Sequence, residues 1–170
     1  NTLTFYAESA AYLTTFRPIL AALEKLGVES SYLTSEETDP VFASGLKCVH
    51  PRFIGKSNTA YTALGFLQTK VFVLTTPGID VLQIRRSPGV GRYVHVVHAV
   101  GDIHTYKLFS FDYYDAVYCA RWRRCAARAP RNSRNSVAPI WTAWWSVLAK
   151  PHLPKRELSL WRQPGAATGC

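Results

Sequence analysis

Methionine is absent from the chain, which begins at Asn1. A sequence of this kind reads as an excised piece or a processed product, and any targeting segment upstream of it would be invisible. Also missing is any apolar run near the roughly 20 residues that a membrane-spanning helix needs. Cysteine is scarce, with 4 residues scattered along the chain; without secretory context this fits a reduced, cytosolic protein rather than a disulfide framework. Charged residues make up 18% and hydrophobic residues 48%, a balance that excludes a wholly disordered, collagenous or coiled-coil chain. What remains is 170 residues, enough for one domain with a sizeable core and too few for a complete two-lobed enzyme.

Further absences divide the chain near Ala120. Residues 1–120 contain no Trp, whereas residues 121–170 contain no Tyr, no Phe and a single acid, Glu157. Of the 20 Lys/Arg, 10 lie on each side of this boundary, but 10 of the 11 Asp/Glu lie before it. The net charge of +9 therefore belongs to the tail. Any argument from basicity towards nucleic acid or anionic lipid concerns residues 121–170 alone.

The first part alternates strand and helix signals. Residues 2–6 (TLTFY) and 31–34 (SYLT) predict strands, and residues 47–54 hold a third near Pro51. Between the first two, Phe16, Ile19, Leu20, Leu23 and Leu26 recur at helical spacing. Thr14 or Thr15 is expected to cap this helix, Pro18 to sit in its first turn and Gly27 to end it. Asn58 is expected to cap a second helix reaching about Leu67. Residues 71–74 (VFVL) and 93–97 (YVHVV) are continuous apolar runs of the kind buried on both faces of a parallel sheet, and 116–119 (AVYC) closes the series. This alternation predicts a doubly wound, Rossmann-like α/β domain with an open parallel sheet.

In such sheets ligands sit outside the carboxyl ends of the strands, so the residues just after each strand are the candidates. Glu8 can orient a hydroxyl-rich ligand or act as a base, with Ser9 beside it; the alternative is a solvated strand end. Thr75 and Thr76, followed by Pro77-Gly78, can offer hydroxyls and amides to a phosphate, or form an ordinary strand-to-helix turn. His98 is the catalytic candidate, because an imidazole takes a proton near neutral pH and Asp102 is close enough in sequence to orient it. His95, earlier on the same strand, is expected to share the face of His98 and to be a packed core residue. Cys48 and His50 lack a second ligand pair, so no metal site is expected and no cofactor is implied. Gly89-Val90-Gly91 precedes a strand and lacks a third glycine, which excludes the dinucleotide fingerprint.

Six runs occur in order: FYAES at 5–9, SYLTS at 31–35 with Asp39-Pro40, TTPGID at 75–80, QIRRS at 83–87, YVHVVH at 93–98 and FDYYD at 111–115. This combination resembles the amino-terminal lobe of CDP-glycerol glycerophosphotransferases, the teichoic-acid type of transferase, over about residues 2–120. The resemblance implies a GT-B-type enzyme of two facing Rossmann-like lobes. It would move glycerol phosphate from CDP-glycerol to a hydroxyl of a polymer or lipid-linked acceptor and release CMP, at or near the inner face of the membrane. It places the base at His98, although some members carry His-Gly there and this chain has Ala99. The donor's CDP belongs to the missing carboxyl-terminal lobe, so this chain alone is expected to be inactive.

After Ala120 that pattern stops. The tail is rich in Arg, Ala, Pro and Trp with no helical or alternating period, as GC-rich codons give when read out of frame. A hypothetical back-translation of residues 131–147, read from the third base, yields a charged amphipathic helix running into an apolar strand. Trp141-Thr142 must then give Asp, and Trp144-Trp145 must give Val, whatever codons are chosen. Taken at face value, the Arg and Trp residues of the tail suit nucleic-acid phosphates and bases or an anionic membrane surface. Without a recognisable motif or basic face, specific nucleic-acid binding is not expected. The rival to the transferase is a non-catalytic α/β binding module attached through this tail.

Overall fold

The computed structural model describes residues 2–98, 109–119 and 136–139. Seven parallel strands form one open sheet. They are β1 (Leu3–Ala7), β2 (Ser30–Thr34), β3 (Val49–Phe53), β4 (Thr69–Leu74), β5 (Val90–Val96), β6 (Ala116–Cys119) and β7 (Ser136–Pro139), in the spatial order β3-β2-β1-β4-β5-β6-β7. Helix α1 (Leu13–Lys25) joins β1 to β2, and α2 (Asn58–Gly65) joins β3 to β4. No helix among the described residues is long and apolar enough to cross a membrane.

The two helices cover opposite faces, which the pleat makes possible by sending successive side chains to opposite sides. Phe5 and its register partner Tyr32 turn towards α1, where Phe16 meets them edge-on at centroid distances of 5.3 and 6.0 Å. Tyr6, Leu33, Phe72, Leu74 and Tyr93 turn the other way and pack with Leu64 of α2. Every residue of β1 is buried, so its LTFYA sequence is apolar or aromatic on both sides save Thr4, whose hydroxyl bonds that of Thr69 at 3.1 Å. Pro51 is tolerated because β3 is an edge strand, where a missing N–H breaks no ladder between two neighbours.

Several local expectations give way. The first helical segment starts with a 3₁₀ turn at Ala10–Tyr12, capped by Ser9, whose hydroxyl accepts from the Ala11 amide at 3.4 Å. Thr14 therefore lies inside the helix and donates to the Ala11 carbonyl instead of capping, and Pro18 sits in the interior of α1. Ser57, not Asn58, stands at the cap position of α2, in a left-handed conformation at φ 48°. The stretch 75–89 between β4 and β5 forms turns instead of a helix. β7 lies beyond the compositional boundary at Ala120; the rest of the tail, including the proposed frame change, lies outside the described residues.

Two glycines hold β5 against β4. A Cβ on Gly89 would come within 2.7 Å of the Leu67 carbonyl oxygen, and one on Gly91 within 2.8 Å of the Lys70 carbonyl oxygen. These are backbone atoms that cannot swing aside, which explains the Gly-Val-Gly run without any nucleotide. Gly91→Ala is expected to destabilise the domain by about 1–3 kcal/mol in urea denaturation, whereas an unchanged midpoint would contradict the close approach. His95 is fully buried between Phe111 and Tyr114, at centroid distances of 4.9 and 5.1 Å. Burial pushes its pKa down from 6.5 to about 3. Between those values the unfolded chain binds a proton that the folded chain refuses, so this contribution is intact above pH 6.5 and is lost as the pH falls towards 3. The stability difference between the wild type and His95→Gln should therefore change with pH at up to about 1.4 kcal/mol per unit in that window. A pH-independent difference would refute the assignment.

Candidate functional site

The order of the strands reverses between β1 and β4. β1 leads outwards through β2 to β3, whereas β4 leads through β5 to β6 on the other side. Connections leaving the two central strands diverge, and in open α/β sheets the carboxyl ends at such a reversal are where a ligand-binding crevice is expected. Glu8 follows β1, Thr75 and Thr76 follow β4, and His98 stands two residues beyond β5, so three neighbouring strands deliver these side chains to one edge of the sheet.

Glu8 is the best-held of them. Tyr61, on α2, donates its hydroxyl to Glu8 Oε1 at 2.7 Å, and the Thr76 hydroxyl donates to Oε2 at 3.2 Å. Two segments far from it in sequence thus fix one half-buried carboxylate at this edge of the sheet. Tyr114 extends the arrangement by donating to the Thr76 carbonyl, and Tyr6 shares a 2.9 Å hydrogen bond with the Ser35 hydroxyl beneath. The phenols register the charge of Glu8. The hydrogen bond to Glu8 is the main cause that raises Tyr61 from 10.0 to about 12, while Tyr6 reaches about 12 chiefly through burial, with the carboxylate adding to the effect.

His98 belongs to the other side of the edge. It lies three residues after His95, an odd spacing that sends the two rings to opposite faces and corrects the expectation that they share one. His95 sits in the core on the α2 face, whereas His98 meets Tyr12 edge-on at 4.7 Å, at the entry to α1. Among the described residues, His98 Nδ1 is buried without a hydrogen-bond partner, and the same holds for Thr75 Oγ1, directly beyond the end of β4. The structure therefore groups the candidates in two. Glu8 and Thr76 are bonded to each other, while Thr75 and His98 follow the neighbouring strands β4 and β5. Asp102 lies outside the described residues.

The 75–78 turn offers a phosphate fewer amides than its sequence suggests. No helix follows it, Pro77 has no N–H, and the Gly78 amide is already donated to the Ser110 carbonyl at 2.8 Å. Ser9 caps the 3₁₀ turn, so its hydroxyl is engaged locally. Among the described residues, no group of three His, Cys, Asp or Glu side chains is placed to hold a metal ion; His50 pairs with Glu29 at the surface. Tyr61 is the residue that sequence reasoning missed. Its position on a helix with Leu64 reads as core packing, and its link to Glu8 spans 53 residues.

What the site offers chemically is a fixed hydrogen-bond acceptor. Each oxygen of Glu8 spends one lone pair on a hydroxyl and keeps another for a donor entering the crevice. Glu8→Gln removes the charge responsible for the elevated phenol, so the Tyr61 titration followed by NMR should move from about 12 down towards 10.0. An unmoved midpoint would contradict the contact. Compared with protein-family models, with curated proteins and with solved structures, the chain matches none.

Proposed function

We propose that this chain forms the acceptor-side wall of a cleft in a two-lobed glycerophosphotransferase-type enzyme, with the cytidine of CDP-glycerol held by a facing lobe. The observation that supports this reading is the convergence of Glu8, Thr76 and His98 on the carboxyl ends of three adjacent parallel strands. Such an edge is where an open α/β sheet meets its ligand. Three of the six sequence runs that resemble this family, FYAES, TTPGID and YVHVVH, lie at the carboxyl ends of those strands.

In this reading an acceptor hydroxyl attacks the phosphorus that carries the glycerol. The new P–O bond forms as the bond to CMP breaks, CMP departs with the bonding electron pair, and His98 takes the hydroxyl proton. Glu8 orients the acceptor by accepting hydrogen bonds from it. A cell-envelope polymer or a lipid-linked sugar, met at the inner face of the membrane, is the acceptor class this reading implies.

The test is CMP release from CDP-glycerol by a protein in which this lobe faces its partner lobe. His98→Ala should lower the rate by at least about 100-fold, the usual range for loss of a general base, with folding retained. Activity unchanged by His98→Ala, or CMP release by the isolated 170-residue chain, would contradict the proposal.

A further inference from the structure

A single carboxylate, Glu8, faces whatever enters between β1 and β4. Glu8 stands just after β1, at the position where many open α/β sheets turn directly into a helix that receives phosphate. Here that turn presents a negative charge instead, and the 75–78 turn opposite has no free amide to offer from Pro77 or Gly78. A second anion would meet repulsion across a half-desolvated space. A hydroxyl would meet two free lone pairs.

Those lone pairs are useful only if the carboxylate is held still. α2 supplies the hold. Gly55, at φ +96°, turns the chain so tightly that a Cβ would lie 2.7 Å from Thr59 Cγ2, and Ser57 at φ 48° completes the turn. Glycine takes up its angle freely, whereas that of Ser57 persists only where the surroundings enforce it. Ala60 and Leu64 then bury α2 against the sheet, which leaves Tyr61 between them directed across β1 onto Glu8.

We propose that Tyr61 is a positioning residue, which together with Thr76 orients Glu8 to accept from hydroxyl groups and thereby makes this end of the crevice select neutral polyhydroxyl ligands over phosphate. The inference rests on the crevice being a ligand site and not on the transfer chemistry. Tyr61 acts through Glu8, so the two residues are energetically coupled, which a purely structural tyrosine would not show.

The experiment is an NMR titration of the 170-residue chain with glycerol and, separately, with inorganic phosphate. Glycerol should shift the resonances of Glu8, Tyr61 and Thr76. Tyr61→Phe, which keeps the ring, should weaken glycerol about tenfold, the order expected for one hydrogen bond. Glu8→Gln should weaken it further, and the double variant should bind no worse than Glu8→Gln alone. Thr76→Val provides the same test from the other oxygen should Tyr61→Phe fail to fold. Additive losses, glycerol binding indifferent to Tyr61→Phe and Thr76→Val, no shift with glycerol, or phosphate moving the same three residues would each overturn the proposal. Failure of CMP release in the two-lobed protein, with glycerol binding intact, would count against the transferase reading alone.

Discussion

β1 and β4 lie side by side in register, Leu3 opposite Val71 and Tyr6 opposite Leu74, although about sixty residues separate them in the chain. This pairing forces the order of strands to reverse, so the connections leaving the two carboxyl ends travel to opposite sides of the sheet. It brings Glu8 next to Thr76, and it brings α2 back across the sheet so that Tyr61 arrives from the amino-terminal half. Weakening the pairing would scatter all three. The aromatic and aliphatic side chains of both strands keep it together, buried on both faces, with Phe5 on the α1 side and Tyr6 and Phe72 on the other.

Within that frame, the arrangement of polar groups is economical in its use of charge. One carboxylate sits at the centre of the edge, and hydroxyls surround it: Tyr61 and Thr76 in contact, with Tyr6, Ser35 and Tyr114 behind them. Hydroxyls stabilise a carboxylate without neutralising it, which keeps it an acceptor. Histidine follows a different logic at each of its two positions. His95 is committed to the core, where burial keeps it neutral, whereas His98 stays near the edge and touches the ring of Tyr12.

Much of this was legible in the residues because parallel strands buried on both faces leave apolar runs that side-chain alternation does not interrupt. YVHVV and VFVL carried that signal, and the residues that follow β1, β4 and β5 could be named from it. The start of α1 was less legible, since a 3₁₀ turn capped by Ser9 precedes it and carries Pro18 into the helix interior. The turn after β4 looked like an approach to a helix because Pro-Gly serves both outcomes. Tyr61 was hidden for a different reason: a tyrosine beside Leu64 on a short helix has no local mark that separates packing from a bond made to the far side of the sheet. The separation of His95 from His98 was available from their odd spacing alone.

The most direct test is a crystal structure of the chain soaked with an acceptor-like polyol. Density for the ligand should lie at the carboxyl ends of β1 and β4, with at least one hydroxyl within hydrogen-bonding distance of Glu8 and with Tyr61 and Thr76 still bonded to it. A ligand found at the amino ends of the strands, or a Glu8 turned away from the crevice in its presence, would contradict the account.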